Sequence, residues 1–150
     1  MPISLDTMLA LTTRFHVSVD GVDLGGWARC NGLEVKFNPE TQPDGGNYQY
    51  ETVLPGHITY PHVTLERAIS AADSAKVQAW LRDRASTWID ANASGGGGTA
   101  QITLYDAHAQ KVATWTLRNV YPDSWKGPDL NAGTLGIATE TLVLVHEGFL

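Results

Sequence analysis

Hydrophobic and polar residues alternate along much of this chain, with the two-residue period of a β-strand that is buried on one face. Phe15, Val17 and Val19 alternate with polar residues, and the Asp20-Gly21 pair that follows predicts a hairpin turn. Residues 121–133, with two prolines, predict irregular structure. Alternation predicts further strands over residues 22–24, 33–37, 48–54, 63–69, 102–104, 112–117 and 139–146.

One helix is predicted, at about residues 73–91, where the period changes to that of an amphipathic helix. Ser70 and Asp73 both have N-cap chemistry, and the glycines of residues 95–98 end the helix. The apolar stripe is expected to pack in the core; it comprises Val77, Trp80, Leu81, Ala85, Trp88 and Ile89. The pattern predicts a mainly β fold, a small antiparallel β-barrel or sandwich with one α-helix.

The length of 150 residues predicts a single domain that spans residues 1–150. Two segments are too long for so small a core to support: an N-terminal arm (residues 1–12) and an extended loop (residues 38–47). We expect both to dock onto neighbouring copies of the chain.

Charge and composition exclude several functional classes. The net charge of −6 leaves no basic surplus for a nucleic-acid backbone, and no apolar run is long enough for a transmembrane helix. The N-terminus lacks a basic segment, so no secretory signal or membrane anchor is expected. Cys30 is the only cysteine and cannot form an internal disulfide.

Candidate chemistry is sparse. His57, His62 and Glu66 could in principle bind a metal ion, but the prolines between the histidines do not hold them on one face as a helix would. No nucleophile or phosphate-binding motif is present, so no catalytic residue and no cofactor is predicted. The carboxylates fall on separate strands and are interpreted as a wetted surface; they are Glu34, Glu40, Glu51, Glu66, Glu140 and Glu147.

Several segments together resemble the tail-tube proteins of contractile phages and phage-like contractile injection systems. This family is related in fold to the Hcp proteins that form tubes in type VI secretion. The segments follow the family order over nearly the whole chain: residues 15–21 (FHVSVDG), 32–35 (GLEV), 54–56 (LPG), 64–67 (TLER), 115–122 (WTLRNVYP), 126–132 (KGPDLNA) and 137–148 (IATETLVLVHEG).

The resemblance implies a structural role for a set of motif residues. These are Gly32, Leu33, Pro55, Gly56, Trp80, Trp115, Pro122, Gly127, Pro128, Glu140, His146, Glu147 and Gly148. Contacts between stacked rings are expected from the arm and the loop. The contact residues would be Leu5, Met8, Leu9, Leu11, Pro39, Glu40, Asp44, Gly45 and Gly46.

The resemblance also implies an assembly. Six copies would close into a ring with four lumen strands each, about 24 strands in all, and the rings would stack helically into a hollow tube. The implied partners are sibling copies, a sheath protein, baseplate or spike and capping proteins, with protein or DNA cargo in the lumen. Assembly in the bacterial cytoplasm and delivery within a virion tail or injection particle follow from the same resemblance.

Besides a metal-dependent hydrolase that would use His57, His62 and Glu66, two other functions remain open from the sequence. One is an Hcp-like ring secreted by a type VI system, which shares the fold. The other is a monomeric β-barrel that binds a small ligand, for which an apolar internal pocket would be expected.

Overall fold

The computed structural model describes residues 15–43, 45–46, 48–90 and 97–150, which form nine strands and one helix. This confirms a mainly β fold. In chain order the elements are β1 (Phe15–Val19), β2 (Val22–Gly26), β3 (Arg29–Asn31), β4 (Glu40–Gln42), β5 (Thr52–Leu54), β6 (Val63–Ala68), α1 (Ala71–Asp90), β7 (Gly98–Tyr105), β8 (Lys111–Lys126) and β9 (Thr139–Val145).

Seven strands form one antiparallel sheet in the order β2-β1-β7-β8-β9-β6-β3, and β4 and β5 form a separate hairpin. The first half of the 16-residue β8 pairs with β7 and its second half pairs with β9. The sheet therefore folds into two four-stranded halves that share β8 and enclose the core, as in a β-sandwich. Trp27 and Ala28 connect the border strands β2 and β3, and the fold is sandwich-like rather than a closed barrel.

The core confirms the predicted alternation. Phe15 and Val17 are buried on β1, whereas His16 between them is exposed. On β9, Leu142 and Leu144 point into the core. Both halves of the sheet contribute, and the fully buried apolar side chains are Val17, Val19, Leu24, Val63, Leu65, Val77, Ala100, Leu117, Val120, Leu142 and Leu144.

Ser70 is the N-cap of α1, which begins two residues earlier than predicted. Its hydroxyl accepts the amide of Asp73 at 3.3 Å, and its own amide donates to the Ser74 hydroxyl at 3.2 Å. Val77 and Trp80 of the apolar stripe are buried and Leu81 is partly buried, whereas Trp88 is 58% exposed and Ile89 81%. The expectation that the whole stripe packs in the core is therefore wrong. No helix in the described part of the chain is long and apolar enough to cross a membrane.

The predicted strand over residues 33–37 does not form. Gly32 adopts φ 99°, and the Glu34 amide donates to the Gly32 carbonyl at 2.8 Å, which turns the chain where a strand would begin. Lys36 alone pairs with Thr59, as an isolated bridge. Hydrophobic and polar residues alternate in this stretch, but no strand of the described chain pairs with it along its length to form a hydrogen-bonded ladder.

The boundaries of two further elements also differ from prediction. The strand expected over residues 48–54 is confined to Thr52–Leu54, and its partner Glu40–Gln42 lies inside the predicted loop. Residues 121–126, expected to be irregular, continue β8 through Pro122. The register shifts between Pro122 and Ser124, so the proline sits at a bulge, where its missing N–H is tolerated.

Candidate assembly surfaces

The β4–β5 hairpin exposes a cluster of large apolar side chains. Tyr48 is 98% exposed, and Tyr50 and Val53 are also largely in solvent. Phe37 and Ile58 flank the hairpin and are more than half exposed. Of the predicted inter-ring residues in this region, Pro39, Glu40, Gly45 and Gly46 are exposed, and Asp44 lies outside the described residues.

The connection between β8 and β9, residues 127–138, forms a second exposed apolar surface. Leu130 is 86% exposed, Leu135 102% and Ile137 82%. A monomeric protein seldom leaves so many large apolar side chains in water, because each would gain about 1.5–3 kcal/mol on burial. We define these three residues as the 127–138 surface. Sequence patterning did not find it, because the segment has no period.

A buried ion pair joins β6 to the start of β9, just after this connection. Arg67 Nε donates to Glu140 Oε1 at 2.7 Å, and both side chains are almost completely buried. The Arg67 guanidinium also donates to the carbonyls of Leu24, Gly26 and Asp73, and it lies 4.0 Å from the centroid of the Trp27 ring. Each of the three guanidinium nitrogens therefore donates a hydrogen bond, and an aromatic ring lies against the cation.

The Glu140 carboxylate is satisfied in the same way. It accepts hydrogen bonds from the Ser74 hydroxyl at 3.0 Å and from Trp125 Nε1 at 3.2 Å. The interpretation of Glu140 as part of a wetted surface is therefore wrong: it is fully buried. Together Arg67 and Glu140 connect β2, β6, α1, β8 and β9, and we define this set of contacts as the Arg67–Glu140 network.

The motif glycines lie where a side chain would collide with neighbouring atoms. A Cβ on Gly32 would be 2.0 Å from the His62 carbonyl oxygen, and one on Gly56 would be 1.7 Å from the Asn38 carbonyl oxygen. Gly148, at φ 133°, packs against the Tyr60 ring. Gly127 lies under the Trp125 indole, with a notional Cβ at 3.0 Å from that ring.

The other motif residues are spread through the fold. Trp80 is buried in the core, and Leu33 and Trp115 pack against it while remaining partly exposed. Pro128 is half-buried, whereas Pro55 is exposed. Glu147 is exposed, but its backbone amide donates to the Arg118 carbonyl at 2.9 Å and so fixes the C-terminal segment against β8.

His146 lies just beyond β9 in a partly buried, cation-rich setting. Its Nδ1 accepts the Gly148 amide at 3.1 Å, and its ring contacts Tyr60. Burial lowers the pKa of His146, and the nearby His62 and Arg118 lower this pKa further, while the carbonyl of Pro61 acts in the opposite direction.

We expect His146 to make the subunit less stable in mild acid. Because its pKa is lower in the folded state, the unfolded chain binds the proton more tightly, and stability is lost as the pH falls below about 6.5. His146→Asn keeps an acceptor for the Gly148 amide but does not titrate. Melting temperatures at pH 7.5 and 5.5 should therefore differ less for the variant, and an equal difference would contradict the assignment.

The hypothetical metal set is not assembled. Nδ1 of His62 lies 4.0 Å from the Asp123 carboxylate, whereas Glu66 faces Arg29 at 3.9 Å. Within the described ranges, no three His, Cys, Asp or Glu side chains are grouped so that they could hold a metal ion.

Solved structures with the same fold come from contractile injection systems. A chain of the PVC sheath-tube complex in the extended state has a TM-score of 0.73 at 20% identity, covering 93% of this chain and 88% of that one. A chain of the anti-feeding prophage tube-terminating cap has a TM-score of 0.73 at 20% identity, with coverages of 99% and 93%. A chain of the anti-feeding prophage baseplate has a TM-score of 0.71 at 22% identity, with coverages of 94% and 93%.

These similarities establish the fold, and the family follows from the sequence itself. No curated protein matches the sequence. The family described as T4-like virus tail tube protein gp19 matches residues 11–150, which is all of the chain except its first ten residues. This confirms the family resemblance of the motif segments. The chain therefore belongs to the T4-like virus tail tube protein gp19 family and is a structural tube protein.

Proposed function

We propose that six copies of this protein close into a ring and that the rings stack into a rigid hollow tube, which a contracting sheath drives into a target. The observation that carries the proposal is the exposure of large apolar side chains on the 127–138 surface and the β4–β5 hairpin. In an isolated subunit these side chains stay in water and contribute no hydrophobic stabilisation, whereas neighbouring copies would bury them.

The sheet supports the proposed dimensions of the tube. Each half of the sandwich contains four strands, so that a ring of six copies would have a wall of about 24 strands. With strands about 4.8 Å apart and tilted by about 40°, the wall radius would be about 24 Å. Side chains that project inward would narrow the corresponding diameter to a lumen about 40 Å wide, which is enough for a small folded protein or DNA as cargo.

The proposed partners follow from the similar structures. These belong to a sheath-tube complex, a tube-terminating cap and a baseplate. We propose that this protein likewise contacts a sheath, a cap and a baseplate or spike, that it assembles in the bacterial cytoplasm, and that it leaves within a virion tail or an injection particle. The family match favours this role over a secreted type VI ring.

Electron microscopy of the purified protein tests the proposal, and rings or tubes are the expected result. Replacing both Leu135 and Ile137 by serine removes two exposed apolar contacts worth about 3–6 kcal/mol when buried, which should weaken association at least about a hundredfold. Asp129→Ser on the same segment is the matched control and should still assemble. A wild-type protein that stays monomeric at high concentration would overturn the proposal and favour the ligand-binding barrel.

We also expect the N-terminal arm to be required for stacking, as an extension of the proposal above. The predicted contact residues Leu5, Met8, Leu9 and Leu11 all lie outside the described residues. Deletion of residues 1–10 should abolish tubes while the circular dichroism spectrum remains that of a folded β protein, because the core residues of the described chain, from Phe15 onward, are all retained. Tubes of normal length from this truncation would show that the arm has no part in stacking.

A further inference from the structure

A groove of about 260 Å³ opens into the sandwich at the end of β1 where the described chain begins. It is lined mainly by apolar side chains, and the lining residues are Phe15, Ala28, Leu33, Ile102, Leu104 and Trp115, together with Cys30 and Arg29. Leu33, Leu104 and Trp115 pack against the core but remain partly exposed. The interior of the subunit is therefore open to solvent at this place.

The opposite end of β1 is covered by α1. Arg84 of the helix pairs with Asp20 in the turn after β1, and Trp80 of the helix is buried in the core. The helix therefore covers the sandwich at this end. Among the described residues, no element covers the groove in the same way.

A segment of the polypeptide that could cover a groove of this kind immediately precedes Phe15 in the sequence. Phe15, which lines the groove, directly follows residues 1–14, and this segment includes Leu5, Met8, Leu9 and Leu11. A protein cavity of about 150 Å³ can hold benzene, so that the groove has room for one or two aliphatic side chains. The segment therefore has apolar side chains of the right chemistry to fill such a groove.

A return of the segment to its own groove would require a tight reversal just before Phe15. Residues 7–14 (TMLALTTR) contain no glycine, proline, asparagine or aspartate, the residues that favour such turns. A chain that continues without reversal instead carries Leu9, six residues away, up to about 20 Å from the rim. This is far enough to reach an adjoining subunit.

We propose that the groove binds the apolar side chains of residues 5–11 from a neighbouring copy, so that each subunit completes the core of the next. The inference rests on the proposed tube. It adds to that proposal a specific acceptor for the apolar side chains of the arm.

Cys30, the only cysteine, lies in the groove and provides the test. Leu9→Cys is introduced into the full-length protein, the assembled particles are oxidised with copper phenanthroline, and the products are separated by non-reducing electrophoresis. Burial raises the pKa of the Cys30 thiol to about 11, so the oxidation is run at about pH 9. A ladder of dimers and higher multimers is expected, because every copy carries both a donor and an acceptor.

Controls separate the possible occupants. The wild type and a Leu9→Cys, Cys30→Ser variant should give no ladder, and Leu5→Cys is tested in parallel in case one substitution prevents assembly. An internally linked monomer would show that the arm covers its own groove and would overturn the proposal. A ladder from Leu135→Cys but not from the arm variants would overturn it in favour of the 127–138 surface.

The same samples are viewed by electron microscopy, which separates this inference from the proposed function. Tubes without a ladder from either arm variant would overturn the groove assignment and leave the tube intact. If the wild type forms neither rings nor tubes, both the groove assignment and the proposed tube are overturned.

Discussion

Replacing Glu140 by glutamine is expected to destabilise the folded subunit by about 3–5 kcal/mol, because it leaves the Arg67 cation buried without a counter-charge. The guanidinium cannot lose its proton, and its position among three backbone carbonyls gives it no route to water. For a domain of this size the change corresponds to a fall in melting temperature of about 6–20 °C. Thermal unfolding followed by circular dichroism measures it.

The neighbouring residue provides a matched control. Glu66 precedes Arg67 in the sequence and pairs with Arg29 at 3.9 Å, but both side chains of that pair are well exposed. Glu66→Gln should therefore cost no more than about 1 kcal/mol. Equal effects of the two substitutions would show that the Arg67–Glu140 network is not desolvated as the structure describes.

Replacing Gly32 by alanine is expected to destabilise the subunit by about 2–5 kcal/mol. The left-handed backbone at φ 99° costs a residue with a side chain about 1–2 kcal/mol. The new Cβ would also lie 2.0 Å from the His62 carbonyl oxygen, and relief of such overpacking typically costs a further 1–3 kcal/mol. Urea unfolding gives the difference in free energy directly.

Gly136→Ala is the control for this substitution. Gly136 has no atom within 4 Å of a notional Cβ, and its φ lies outside the left-handed region, so alanine should change stability by less than about 0.5 kcal/mol. If Gly32→Ala is equally neutral, residues 32 and 62 do not approach each other as closely as described, and the turn before residues 33–37 needs another explanation.

The Arg67–Glu140 network bears on the proposed function as well. It holds the start of β9 and the end of β6 against the N-terminus of α1, and Glu140 follows Ile137 of the 127–138 surface by three residues. If that surface contacts neighbouring copies, the network fixes the angle at which it is presented. A fully hydrogen-bonded buried pair specifies such a geometry more sharply than apolar contacts alone.

The fold could be predicted wherever burial on one face imposed a period on the sequence. The alternation of Phe15, Val17 and Val19 identified β1 and its buried face, and the helical spacing of Val77 and Trp80 placed α1 to within two residues. The Asp20-Gly21 turn followed from local chain geometry. These features depend on near neighbours in the sequence, which is why pattern alone sufficed.

The exposed apolar surfaces could not be predicted from the periodicity of the sequence. Residues 33–37 alternate like a strand, yet only Lys36 finds a pairing partner. Trp88 continues the apolar stripe of the helix but extends beyond the core and stacks on Tyr121, with ring centroids 5.9 Å apart. Leu135 and Ile137 follow no period at all, so that their joint exposure is evident only from the folded chain.

The sequence by itself determined the class of fold, the single helix and the family, because each depends on residue order and local periodicity. Only the tertiary structure decided that Glu140 is a buried ion-pair partner rather than a surface carboxylate, and that a groove opens beside Phe15. The physical reason is that burial and desolvation depend on residues far apart in the chain. Arg67 and Glu140 are 73 residues apart, and no local pattern records that they meet.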